Sequence, residues 1–129
     1  MKISAIEHIA INVSDIQKSI DFYGSILGFT RLQSVDRGDS IIHYYQLPNS
    51  ARLELFEYKK PGVNQTREVS EVGLKHLAFQ VEDVAAHEKE LRAAGVEITL
   101  STCELPDLGT RVLLFLDPNG VTLEFCEKL

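Results

Sequence analysis

Two cysteines, one methionine, four prolines and no tryptophan in 129 residues leave several protein classes without material. Cys103 and Cys126 are too few for a disulfide scaffold and do not form a close-spaced thiolate pair. Reduced thiols in a cytoplasmic protein are the expectation. No apolar run reaches the roughly 18 residues that a membrane-spanning helix needs. The opening segment MKISAIEHIAINV has neither the apolar stretch nor the cleavage site of a signal peptide. Positive charge is also short: 13 Lys and Arg stand against 19 Asp and Glu, for a net charge of −6. That balance argues against nucleic acid or an anionic membrane as partner. A phosphate-binding glycine loop, a nucleophile elbow and a Ser-His-Asp order are missing too. What remains is an ordinary globular composition, 44% hydrophobic and 25% charged, enough for one domain or two very small ones folded together.

The informative feature is an internal repeat. Ile6-Glu7-His8-Ile9-Ala10-Ile11-Asn12-Val13-Ser14-Asp15-Ile16 aligns with Leu74-Lys75-His76-Leu77-Ala78-Phe79-Gln80-Val81-Glu82-Asp83-Val84 at a shift of 68. His, Ala, Val and Asp are identical, and each apolar position stays apolar. Pro48-Asn49-Ser50-Ala51-Arg52-Leu53-Glu54-Leu55 aligns with Pro118-Asn119-Gly120-Val121-Thr122-Leu123-Glu124-Phe125 at a shift of 70. Two matches in the same order, at nearly the same shift, indicate two copies of one unit.

Each copy reads as a strand, a helix and three more strands. In the first copy a strand runs from about Ile3. Its Ile9, Ile11 and Val13 share one face, and His8, Ala10 and Asn12 share the other. Ser14 or Asp15 caps a helix, with Gln17 placed to complete a capping box with Ser14. Ile16, Ile20, Tyr23 and Leu27 fall at helical spacing, and Gly28 ends the helix. Strands follow over about 30–36, 40–47 and 51–57. The second copy places strands at 74–81, 96–101, 110–117 and 121–126, a helix at 83–94 that stops at Gly95, and a hairpin turn at Asp117-Pro118-Asn119-Gly120. The fold class is α+β: two tandem βαβββ modules, about 3–58 and 74–127, forming a curved, cup-like mixed β-sheet with helices outside. A polar linker covers 59–73. The whole is a single domain over 1–129.

Residues two apart on a strand share a face. Leu53, Leu55, Leu123 and Phe125 then face the helices, whereas Glu54, Glu124, His8 and His76 face the other way. Ala10, Asn12, Arg52, Phe56, Ala78, Gln80, Thr122 and Cys126 share that second face. Carboxylates on a partly enclosed surface are costly unless paired or metal-bound. Two His and two Glu make a mixed nitrogen and oxygen donor set suited to a divalent first-row metal. A single His or Glu on a strand is usually a satisfied surface residue. Its recurrence at equivalent positions in both copies favours His8, Glu54, His76 and Glu124 as metal ligands. His43 has no metal-binding counterpart near Leu113 and reads as structural, although it could touch substrate. His87 reads as solvated, and Cys126 as a small core residue.

These residues give a chain that resembles the vicinal oxygen chelate superfamily, which includes glyoxalase I, extradiol dioxygenases, methylmalonyl-CoA epimerase and fosfomycin- and bleomycin-resistance proteins. The likeness covers nearly the whole chain. It is carried by His8-Ile-Ala-Ile-Asn-Val-Ser-Asp, Ser19-Ile-Asp-Phe-Tyr-Gly-Ser-Ile-Leu-Gly-Phe29, Lys75-His-Leu-Ala-Phe-Gln-Val and Asp117-Pro-Asn-Gly-Val-Thr-Leu-Glu-Phe125. A Glu at position 54 is similar to glyoxalase I, whereas dioxygenases and fosfomycin enzymes use two His and one Glu. The resemblance implies a divalent-metal-dependent lyase or isomerase acting on a 2-oxoaldehyde–thiol adduct or related α-hydroxycarbonyl. One metal ion per site is implied: nickel or cobalt by the compact length, with zinc, manganese or iron as alternatives. Glu124 is the first choice for the catalytic base, Glu54 its pseudo-symmetric alternative, and Asn12, Arg52 and Phe56 are substrate-contacting residues. A cytoplasmic homodimer with a small-molecule substrate is implied, with the site within one chain or across two. The glutathione-contacting pattern is not reproduced: Asn12 replaces an Arg, Glu57-Tyr58 replaces an Asn-containing stretch, and Glu104-Leu-Pro-Asp-Leu-Gly109 lacks a lysine. The rival readings are another metalloenzyme of the superfamily (epimerase, dioxygenase or thiol transferase) and a non-catalytic binder of the bleomycin-resistance type.

Overall fold

The computed structural model describes residues 1–64 and 68–129. It divides into two compact units, Met1–Asn64 and Gln65–Leu129. Part of the linker expected over 59–73, residues 65–67, lies outside the described residues.

The first unit contains β1 (His8–Val13), α1 (Ile16–Ile20), a π-helical turn (Asp21–Ile26), β2 (Thr30–Asp36), β3 (Ser40–Gln46) and β4 (Arg52–Tyr58). The second contains β5 (Leu77–Gln80), α2 (Val84–Ala93), β6 (Ile98–Leu105), β7 (Thr110–Leu116) and β8 (Thr122–Lys128). Each unit builds one four-stranded mixed sheet, ordered β1-β4-β3-β2 and β5-β8-β7-β6. The first and last strands of each unit pair in parallel, and the remaining pairs are antiparallel. The βαβββ repeat is therefore real. The mixed sheet is realised as two separate hydrogen-bonded sheets, one in each unit.

Strand alternation sorts the side chains as the sequence implies. Ile11, Val13, Leu53 and Leu55 are buried in the first unit, as are Leu113, Phe115 and Leu123 in the second. At about 25 cal/mol per Å² of apolar surface removed from water, each large side chain on this face contributes on the order of 1.5–3 kcal/mol.

Three local expectations are corrected. The first strand begins at His8 rather than Ile3, and Ile3 and Ile6 are exposed. Pairing with β4 starts there: His8 stands opposite Arg52, whose amide donates to the Glu7 carbonyl at 3.0 Å. Asp15, not Ser14, is the N-cap of α1. It accepts from the Gln17 and Lys18 amides at 3.1 and 3.3 Å, and Gln17 Nε2 donates forward to Asp21 at 2.8 Å. Finally, the helix does not keep a 3.6-residue period: the Leu27 amide donates to the Phe22 carbonyl, five residues back, at 2.9 Å. That wider turn rotates the packed face, so Ser19, Phe22 and Tyr23 are the buried residues while Ile16, Ile20 and Leu27 are only half-buried.

The hairpin turn of the second unit forms as its residues dictate. Asp117 accepts from the Asn119 and Val121 amides, both at 2.8 Å, and Gly120 sits at φ +83. At the same place in the first unit Pro48–Ser50 form a 3-10 turn in which both Asn49 (φ +59) and Ser50 (φ +64) are left-handed. A left-handed conformation costs an L-residue roughly 1 kcal/mol that glycine avoids. Ser50→Gly is expected to raise stability by about 0.5–1 kcal/mol in denaturant unfolding, and a loss would show that the Ser50 side chain matters more than its backbone.

In the second unit Glu88 ties α2 to β6. Its carboxylate accepts the Thr102 amide at 2.9 Å and two Arg92 guanidinium donors at 2.9 and 2.6 Å. Bonding to Thr102 and Arg92 holds its pKa at about 2, against an ordinary 4.5. A carboxylate depressed on folding contributes stability above its unfolded pKa and loses it as pH falls through the folded value. Between about pH 4.5 and 2 the protein is expected to lose on the order of 1–2 kcal/mol through this group, and Glu88→Gln should flatten that part of the pH–stability curve.

Candidate metal half-sites

In unit one, parallel pairing sets His8 opposite Arg52, Ala10 opposite Glu54 and Asn12 opposite Phe56. The imidazole of His8 therefore reaches Glu54 diagonally across β1 and β4, with Nε2 3.8 Å from Oε2. In unit two Ala78 stands opposite Glu124, and His76 lies one residue before β5. Its Nε2 is 3.1 Å from Glu124 Oε2. Each unit thus brings together its predicted His and Glu through the same pair of atoms. The Glu side chains are the more enclosed partners, 9% and 16% exposed, against 45% and 29% for His8 and His76. Among the described residues, no group of three or more His, Cys, Asp or Glu forms a metal cluster. The donors come as pairs, one in each unit.

The pairs suit a divalent cation. Two donors each about 2.1 Å from one metal stand about 3.0–3.4 Å apart for octahedral or tetrahedral angles, and somewhat farther at wider angles. In unit one the His8–Glu54 distance is too long for a hydrogen bond. The other ring nitrogen, Nδ1, contacts the Glu7 carboxylate. A carboxylate can only accept, so Nδ1 carries the proton and Nε2 presents a lone pair toward Glu54. In the neutral imidazole two electron-rich atoms then face one another, and a cation between them would relieve that repulsion.

Glu7 is a neighbour of His8 that strand alternation could not reveal. It precedes β1, so the period of two does not fix its direction. Its Oε1 accepts from Arg52 Nη2 at 2.6 Å, and the Arg52 guanidinium lies 5.0 Å from the centre of the Tyr44 ring. The hydrogen bond from His8, followed by that from Arg52, holds the Glu7 carboxyl below its usual range. The Glu7 contact, followed by the charge of Glu54, raises the His8 pKa.

The remaining sequence candidates fall in the same frame. Asn12 is exposed and Phe56 is half-buried, its ring stacked with Tyr58 at 6.2 Å. Arg52 is engaged with Glu7 and Tyr44 as described. Cys126, half-buried, stands opposite Gln80, and neither cysteine forms a disulfide. His43 lies opposite Leu55, and so on the face with Leu53 and Leu55 rather than with Glu54. Both of its nitrogens are used: Nδ1 by Arg31 at 2.9 Å and Ser34 at 3.1 Å, Nε2 by Glu57 at 2.8 Å. Arginine can only donate, so Nδ1 is an acceptor and His43 is a satisfied neutral histidine. His87 keeps the exposed side chain expected of it and meets Glu90 through Nδ1 at 3.3 Å, but it also packs on the second unit's sheet. Helical spacing sets it beside Val84 and Leu91, and its ring packs on Phe125 at 5.4 Å between centres.

A profile of the Glyoxalase/Bleomycin resistance protein/Dioxygenase superfamily matches residues 5–125. YwkD of Bacillus subtilis (strain 168) is 35% identical over 130 residues, covering 99% of this chain and 100% of its own. The lactoylglutathione lyase of Haemophilus influenzae is 28% identical over 126 residues, covering 94% of this chain and 90% of its own. Among solved structures, a glyoxalase family protein from Enterococcus faecalis superposes with a TM-score of 0.81 at 31% identity, over 95% of this chain and 97% of that one.

Proposed function

From a chain that belongs to the glyoxalase/bleomycin resistance protein/dioxygenase superfamily, we propose a divalent-metal-dependent, glyoxalase I-like lyase or isomerase. Its substrate in this reading is a 2-oxoaldehyde–thiol adduct or a related α-hydroxycarbonyl. The observation that carries the proposal is the recurrence of one arrangement, His Nε2 facing Glu Oε2, in both units. The similarity to the lactoylglutathione lyase of Haemophilus influenzae supports the reaction class.

We assign His8, Glu54, His76 and Glu124 as the ligands of one divalent ion, with nickel or cobalt preferred. When bound, such an ion acts as a Lewis acid toward vicinal substrate oxygens. The protein's own part is proton transfer. The Glu124 carboxylate takes the proton from the carbon beside the carbonyl and returns it to the neighbouring carbon. Glu54 is its counterpart in the first unit. Asn12, Arg52 and Phe56 orient the substrate. The low exposure of both carboxylates limits competition from water for the proton in transit. The two free cysteines suit a reducing cytoplasm, and the working form is taken as a homodimer.

The test is elemental analysis of the purified protein, followed by assay of methylglyoxal with several thiols after reconstitution with nickel, cobalt or zinc. Bound metal and metal-dependent isomerisation of the adduct are expected. A protein that takes up no divalent ion, or holds one and leaves every adduct unchanged, would overturn the reading. Departures at Asn12 and in Glu104–Gly109 predict a thiol other than glutathione as the better partner.

A further inference from the structure

The two half-sites are not equivalent, and the difference lies around the histidines. In unit one, Glu7 contacts His8 Nδ1, Arg52 holds Glu7, and Tyr44 lies under Arg52. At the repeat shifts of 68 and 70, these three positions become Lys75, Thr122 and Leu114. None of the replacements can do the same work. Lysine has no acceptor for an imidazole N–H, threonine has no cation to hold a carboxylate, and leucine has no π-face. Correspondingly, His76 Nδ1 is buried and has no hydrogen-bond partner among the described residues. In the metal-free chain His76, with its Nε2 3.1 Å from Glu124, keeps its proton on Nε2 and must move it off that nitrogen before ligating a metal.

We propose that Glu7, held by Arg52 against Tyr44, is a positioning residue that fixes His8 as the Nδ1–H tautomer and aims Nε2 as a metal ligand, a function unit two lacks. The inference rests on the metal reading above and assigns its asymmetry. A free imidazole favours the proton on Nε2, which would block that nitrogen as a ligand. Glu7 reverses the preference by offering an acceptor only to Nδ1, and its charge strengthens the bond. Partners of this kind also raise the basicity of the ligating nitrogen, and losing one typically weakens metal binding 10–100-fold. Arg52 spends one guanidinium nitrogen on Glu7, so its other donors stay available to substrate. Glu7 is itself largely exposed, which makes a general structural role a poor rival explanation.

The test is made on metal-free protein, well above the imidazole titration range, by long-range ¹⁵N–¹H spectra of the histidine rings. Wild type should show His8 protonated on Nδ1 and His76 on Nε2. Glu7→Ala should return His8 to the Nε2–H form without moving His76. Glu7→Gln, which keeps an acceptor but loses the charge, should retain the tautomer. In calorimetric titration with Ni²⁺, Glu7→Ala should raise Kd about 10–100-fold, with Glu7→Gln between it and wild type. A wild-type His8 protonated on Nε2, an unchanged tautomer in Glu7→Ala, or a Kd within about twofold of wild type would overturn the proposal. These outcomes separate from failure of the functional reading. A wild-type chain that shows the tautomer pattern but isomerises no adduct sinks the lyase and leaves the positioning role standing.

Discussion

Glu124→Gln is expected to lower kcat by two to four orders of magnitude while the protein stays folded and soluble. Glutamine has nearly the same volume and can still meet His76, so packing around β8 is preserved. What it removes is the capacity to accept and return a proton, a contribution typically of 10²–10⁴ in rate, or about 3–5 kcal/mol in barrier. Glu54→Gln tests the pseudo-symmetric position. If Glu124 is the base, Glu54→Gln should act mainly by weakening metal retention, and excess metal should recover part of its activity. Glu124→Gln should gain nothing from excess metal. Near-wild-type turnover in both variants would remove acid–base chemistry by either carboxylate from consideration. Circular dichroism and a thermal melt on each variant guard against loss of fold, which matters most for Glu54 because it is only 7% exposed.

Exhaustive dialysis against a chelator is expected to abolish turnover, with nickel or cobalt restoring it and magnesium failing to do so. Nitrogen donors make up half of the assigned set, and magnesium prefers oxygen ligands and water. Stability should move together with activity. Ligand that binds only the folded state stabilises by about 2.7 kcal/mol at a hundred times its Kd, which for a chain of this size raises Tm by on the order of 10 °C. The increase should be lost in His8→Ala and His76→Ala alike, because each removes one nitrogen donor. A metal-stripped protein with full activity and an unchanged Tm would contradict the assignment of these four side chains.

Much of the site was legible in the sequence because the signals are short-ranged. Alternation along a strand has a period of two, so Leu53 and Leu55 imply the direction of Glu54 without knowledge of any partner strand. The same holds for Leu123 and Glu124. The repeat then supplied what local reading cannot: recurrence that singles out a His–Glu pair which the structure brings together in each unit. The helix was less legible. Ile16, Ile20, Tyr23 and Leu27 fit a 3.6-residue period, but the π-helical turn over Asp21–Ile26 shifts the phase, and Phe22 and Ser19 take the buried face.

The sequence by itself therefore determined the two βαβββ modules, the faces of their strands, and the identity of the two His–Glu pairs, since each follows from local periodicity and internal repetition. The tertiary structure decided how those pairs are held. Glu7 and Arg52 are 45 residues apart and meet only because β1 and β4 pair in parallel at one register. Glu7 also lies outside the strand, where alternation has no authority over its direction. A contact that depends on the register between segments distant in sequence cannot be read from spacing, and it is this contact that makes the two otherwise matching halves unequal.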